Sequence, residues 1–199
     1  MTPIRANIYF LNPNQHHIIS LIDRCLQKQQ SAFYEFYHLF YKPMYNSSYR
    51  ILKNAVDAED VMQDSFMAAF TKLHTFKGME IEDEIQIKLG AWLKRIVINN
   101  SINFLKKQNQ YVFSDFEKDL PAEEAIDPED IHKHDVQKVL TCIQRLKPKY
   151  SVALTLHLIE GYDYEEISDI MHLSYQNIRT IVSRAKVKVA AEFELLSQN

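Results

Sequence analysis

Between positions 160 and 189 the apolar residues recur at the spacing of two consecutive helices, which leaves that part of the chain little else to fold into. Ile167, Ile170 and Met171 share one helical face, His172-Leu173-Ser174 interrupts, and Ile178, Ile181, Val182, Ala185 and Val189 resume on the inner face of a second helix. Ser174 is a good N-cap, because its hydroxyl accepts from an otherwise unpaired amide in the next first turn. The outer face carries Gln176, Arg179, Thr180, Ser183, Arg184 and Lys186, and residues 175–188 hold four cations and no carboxylate. A tight turn leading into a basic, amide-rich helix is how a chain presents side chains to the major groove of duplex DNA. Cations suit phosphates, and Gln, Asn and Arg pair with base edges. The competing reading is an ordinary amphipathic hairpin with a polar outer face; the turn chemistry and the missing acids together favour DNA. His172 stands where such turns usually hold Gly, a position that often takes positive φ.

The remaining chain is also helix-periodic. Only three glycines and a hydrophobic content of 46% predict an all-α protein with a sizeable core. The formal charge of −3 does not advertise a nucleic-acid partner, but the charge is unevenly placed. Residues 91–107 contain Lys94, Arg95, Lys106 and Lys107 and no acid, while residues 115–130 contain eight acids against one Lys. Cys25 and Cys142 are far apart, as in a protein of a reducing cytoplasm without a disulfide framework. Neither a membrane-length apolar run nor a signal peptide is present, so we expect a cytoplasmic protein without membrane insertion. His16-His17 and the His132, His134 pair lack zinc-ligand spacing. Gly-rich phosphate loops, nucleophile elbows and paired catalytic carboxylates are missing too, so the sequence predicts no catalytic residue, no metal and no cofactor.

Four stretches follow from pattern and composition: a tail over 1–15, a helical domain over 16–107, a polar, acidic linker with Pro121 and Pro128 over 108–135, and a second helical domain over 136–199. Within the first domain we expect helices at 18–26, 33–41 (capped by Ser31), from Pro43 to 52, and from a cap at Asp57 through 73. Residues 75–90 then read as irregular and 91–107 as a helix with Trp92, Leu93, Ile96, Val97 and Ile102 apolar. The second domain adds helices at 136–146 and 150–159, separated by Lys147-Pro148 and closed by Gly161. The Tyr and Phe cluster of 33–49 and Trp92 read as core rather than as ligand-binding groups.

Three segments carry a resemblance. Asp57-Ala58-Glu59-Asp60-Val61-Met62-Gln63-Asp64-Ser65-Phe66 resembles the "DAEDlvQevF" segment of bacterial sigma factors of the extracytoplasmic-function (ECF) group. Trp92-Leu93-Lys94-Arg95-Ile96-Val97-Ile98-Asn99, with Ile102-Asn103-Phe104-Leu105-Lys106-Lys107, is similar to that family's "WLyriarN…iDhlRk" helix. Residues 146–186 resemble its C-terminal domain. The three occur in family order and together span about residues 18–107 and 136–190. Asn103 stands for the usual Asp, Lys106 for the usual Arg and His172 for the usual Gly.

The resemblance implies two helical domains, like sigma regions 2 and 4, and a non-enzymatic initiation factor. It would bind core RNA polymerase and promoter DNA, with an anti-sigma factor as a further partner. Asp57, Glu59, Asp60, Gln63 and Asp64 would face the clamp helices of the largest subunit, with Val61, Met62, Phe66 and Phe70 as core or interface centre. Lys94, Arg95, Asn99, Asn103, Lys106 and Lys107 would contact the −10 element, and the loop at 75–90 would hold a flipped base. Tyr175, Gln176, Asn177 and Arg179 would read −35 bases, while Thr180, Ser183, Arg184 and Lys186 would touch phosphates. The C-terminal domain would also meet the polymerase flap, and the acidic linker would thread a channel otherwise filled by RNA. The alternative is a stand-alone helix-turn-helix regulator whose N-terminal domain senses a partner or ligand.

Overall fold

The computed structural model describes residues 13–78, 84–108 and 133–197. All regular structure among them is helical, in two compact units: Met1–Tyr49 with Asn54–Ser101, and Arg50–Lys53 with Ile102–Asn199. Residues 1–12 of the expected 1–15 tail and residues 109–132 of the expected 108–135 linker lie outside the described residues. The ends of both stretches, 13–15 and 133–135, are helical instead, because the neighbouring helices start earlier than their apolar spacing suggests.

The first unit opens with α1 (Pro13–Leu26), which buries Ile18, Leu21, Ile22 and Cys25, one stripe at helical spacing. Lys28 closes it in the left-handed region at φ 61°, its N–H donating to the Cys25 carbonyl (2.9 Å). Next comes α2 (Gln30–Leu52), a single helix where two were expected. Pro43 removes one amide from the ladder, but Pro43 and Leu39, whose carbonyl loses its donor, are both exposed, so water can replace it. Phe36, Phe40 and Met44 are buried on the opposite face, and this continuous apolar stripe holds the helix through the proline. Arg24 and His17 on α1 pair with Glu35 on α2 at 2.6 and 2.7 Å.

The helix α3 (Ala55–Lys72) is capped by Asn54, whose side chain accepts from the amides of Val56 (2.9 Å) and Asp57 (3.3 Å). Asp57 is therefore a first-turn residue, not the cap that we expected; Asn54 supplies a side-chain acceptor three residues earlier. A short 3₁₀ turn (Leu73–Thr75) follows, and α4 (Ile85–Lys107) starts well before the expected position 91. Ile85 and Leu89 extend its buried stripe into Leu93 and Val97. Gly90, expected in an irregular loop, lies inside this helix, where a Cβ would stand 3.4 Å from the Phe40 ring. The helix runs through this glycine, and a Cβ there would make ordinary contact with that ring.

The core of this unit joins α1 to α4 around Phe36, which packs its ring on Phe40, Phe70 and Phe66 (centroids 5.1, 5.3 and 6.1 Å). Trp92 is half-buried against Phe76 at 5.7 Å. The aromatic cluster is not all core, however: Tyr34, Tyr41 and Tyr49 are exposed on the outer side of α2. Burial pushes the Cys25 thiol up to about 11 despite the neighbouring Arg24 charge, which keeps it an inert core residue.

In the second unit α5 (Lys133–Arg145) buries Cys142 and Ile143. Pro148 opens α6 (Pro148–Leu154) at its first turn, where a missing amide costs nothing. A π turn (Thr155–Ile159) continues it, and Gly161 at φ 79° reverses the chain. The last two helices are α7 (Tyr164–Met171) and α8 (Tyr175–Ser197). Tyr150, Val152, Leu156, Ile167, Ile170, Ile178, Val182 and Ala185 form the buried centre. The described residues contain no helix long and apolar enough to cross a membrane. Nor do they gather three or more His, Cys, Asp or Glu side chains that could hold a metal.

Candidate nucleic-acid interface

The α7–α8 pair is built by its caps. Asp163 accepts from the Glu166 amide (2.8 Å) while the Glu166 carboxylate accepts from the Asp163 amide (3.0 Å), a reciprocal capping box. At the other end His172 takes φ 57° and ψ 45°, as expected for a residue standing in for glycine, and its amide donates to the Ser168 carbonyl. The Ser168 hydroxyl donates to the Leu173 carbonyl, which satisfies the turn from both sides. Ser174 then caps α8, its hydroxyl accepting from the Asn177 amide at 3.3 Å. A Cβ in the left-handed region costs about 1 kcal/mol or more. His172→Gly should therefore raise the unfolding free energy by roughly 0.5–1 kcal/mol, after allowing for glycine's greater freedom when unfolded. A rise in the urea midpoint at unchanged slope is the expected readout.

The inner face of α8 seats Ile178, Val182 and Ala185, fully buried, and leaves Tyr175, Gln176, Asn177, Arg179 and Thr180 exposed on its first two turns. Ser183, Arg184 and Lys186 are half-buried. Helical spacing sets Gln176, Thr180 and Ser183 on the outward line, Arg179 and Lys186 on one shoulder, and Asn177 and Arg184 on the other. The Thr180 hydroxyl already donates to the Gln176 carbonyl (2.9 Å), which leaves its lone pairs for an incoming donor rather than its proton for a phosphate.

On α4, Arg95, Asn99, Asn103, Lys106 and Lys107 follow one another at helical spacing along a single stripe. Lys94 falls about 100° away from Arg95 and outside that stripe. Asn103 and Lys107 are exposed, the others half-buried, and partial burial lowers the Lys106 ammonium pKa from its ordinary value. On α3, Glu59, Asp60, Gln63 and Asp64 are exposed and Asp57 is half-buried. The Gln63 amide donates to the Glu59 carboxylate at 3.4 Å.

Residues 36–111 match the family described as Sigma-70 region 2, and residues 136–189 the one described as Sigma-70, region 4. The chain is 27% identical over 159 residues to the ECF RNA polymerase sigma factor SigM of Bacillus subtilis (79% of this chain, 92% of SigM). It is 26% identical over 200 residues to the ECF RNA polymerase sigma-E factor of Haemophilus influenzae (89% and 95%). Its fold is similar to that of the sigma factor RpoE, solved with the anti-sigma factor NepR from Bartonella quintana, at a TM-score of 0.53 and 23% identity, covering 81% of this chain and 96% of RpoE. The chain belongs to the ECF sigma factors. Its function is promoter-directed initiation of transcription by RNA polymerase.

In this sigma factor two features of the surfaces escape the sequence. Val61, Met62 and Phe66 are buried in the first unit, so the apolar groups left on the acidic face of α3 are Val56 and Met67, each 68% exposed. Neither is marked by the motif; only their phase relative to the buried stripe sets them apart. The second feature is a polar seam under α4. The Asn100 amide donates to the Ser65 hydroxyl (2.9 Å), which donates to the Val61 carbonyl (2.6 Å), and the Ser48 and Ser101 hydroxyls meet at 3.0 Å. The small hydroxyls let α2, α3 and α4 approach closely while every buried polar atom of the seam stays bonded.

Proposed function

We propose that this sigma factor divides its work among three helices. The exposed acids of α3, with Val56 and Met67 among them, dock on the basic clamp helices of the polymerase's largest subunit. The Arg95–Lys107 stripe of α4 follows the −10 strand once its bases unstack, with cations on phosphates and the two asparagines on bases. The first turns of α8 read the −35 duplex through Gln176, Asn177 and Arg179, while Arg184 and Lys186 meet phosphates. Lys94 supports α4 from outside that stripe. The observation that carries this reading is the face of α8 over residues 175–188, free of carboxylates and exposed along its first two turns, with a capped turn before it.

The second domain meets the polymerase flap in this scheme, and an anti-sigma factor holds the protein inactive; RpoE, a protein of similar fold, is solved in complex with the anti-sigma factor NepR. The protein acts in the cytoplasm, without chemistry of its own. Asp60→Lys with Asp64→Lys should weaken co-purification with core polymerase about tenfold, since each exposed pair contributes only a fraction of a kcal/mol and reversal doubles the effect. Thermal stability should hardly move, because both side chains are exposed. Undiminished capture of core would contradict the docking surface.

A further inference from the structure

Three rings join the recognition helix to the body of its domain. Tyr175, 43% exposed on the first turn of α8, meets the ring of Tyr164 edge-on (centroids 6.1 Å, 72°). Tyr164, the first residue of α7, lies against His157 (4.7 Å, 35°). The His157 ring is anchored through Nδ1 to the Tyr162 carbonyl at 3.1 Å and sits inside the π turn after α6. Single π turns are uncommon and concentrate at functional sites, because the extra residue re-aims a side chain. Here the re-aimed side chain is an imidazole that props a tyrosine, which props another at the reading end of α8.

We propose that Tyr164 and His157 are positioning residues for base readout by Tyr175, whose ring they hold ready for a base pair that displays a thymine methyl. This rests on the −35 reading above. A phenol on a first turn would otherwise have to be immobilised when DNA binds, and its freedom would be lost at that step. A ring already held by edge-on packing has lost that freedom on folding. An apolar ring edge in the major groove distinguishes thymine, the only base with a methyl there, from the other three.

The test uses the full chain with its core polymerase and a duplex selected from a randomised pool by the wild-type complex. Each base pair of the selected −35 region is then replaced in turn. Tyr164→Leu should lower affinity about three- to tenfold, with the loss confined to one thymine-bearing position. Tyr164→Phe should behave as wild type, since it keeps the ring. His157→Ala leaves both tyrosines in place and should cost less at the same position. In a Tyr175→Ala background Tyr164→Leu should have no further effect. Additive losses, losses spread evenly over all positions, or equal losses for Phe and Leu would overturn the positioning role. A wild-type complex with no −35 preference would overturn the duplex reading and the ring stack with it, and that failure is distinguishable because it precedes any substitution.

Discussion

Phe36→Ala should lower the unfolding free energy by about 3–5 kcal/mol, the usual cost of emptying a buried phenylalanine site. Phe36 is fully buried and touches the rings of Phe40, Phe66 and Phe70, which come from both α2 and α3. Three aromatic neighbours cannot collapse together into the space, because each is also fixed by its own helix. The loss is a large share of the roughly 5–15 kcal/mol that holds a typical domain. Trp92 is the chain's one tryptophan and packs in the same unit, so its fluorescence in urea reports this transition directly. A shift in stability below about 1 kcal/mol would mean that α2 and α3 are not held by this cluster.

The residues around Phe36 also show what the sequence can and cannot convey. The buried stripe of α2 is plain in its spacing, yet Pro43 reads as a boundary, because local rules count the missing amide and not the burial of Phe40 and Met44 on either side. The early start of α4 was hidden in the same way, behind Gly90, which reads locally as a breaker although Ile85 and Leu89 before it carry the buried stripe. Caps followed local chemistry more closely: Ser174 and His172 act as their residue types suggest, whereas Asn54 took the role given to Asp57. Lys28 and Lys53 join His172 in ending helices at positive φ in a chain with three glycines, a use of lysine that no sequence pattern announces. The candidate DNA residues of α8 were legible because one helix face orders them. The polar seam of Ser48, Ser65, Asn100 and Ser101 was not, since it needs three helices to bring it together.

Arg179→Ala should weaken binding of the polymerase complex to its promoter by about 1–3 kcal/mol, a five- to 150-fold loss, and flatten the preference at one or two base pairs of the −35 element. Arg179 is exposed on the second turn of α8, one residue beyond the buried Ile178, which fixes the direction of its side chain. Removing it leaves the core untouched, so the unfolding transition should stay in place. A phosphate contact would instead lower affinity evenly for all sequences and reduce the salt slope by about one unit. Titration of the complex onto variant duplexes at two salt concentrations separates these outcomes. Unchanged affinity and preference would place the reading surface elsewhere on α8.

Run-off transcription with purified core polymerase tests the central claim most directly. Templates drawn from the source genome, each carrying one candidate upstream region, are offered to core alone and to core with this protein. The account predicts discrete run-off products only when the protein is present, from a small subset of templates, and their loss when Arg179 is replaced. Binding of the protein to DNA without core, together with no stimulation of any transcript, would contradict it and favour a stand-alone regulator.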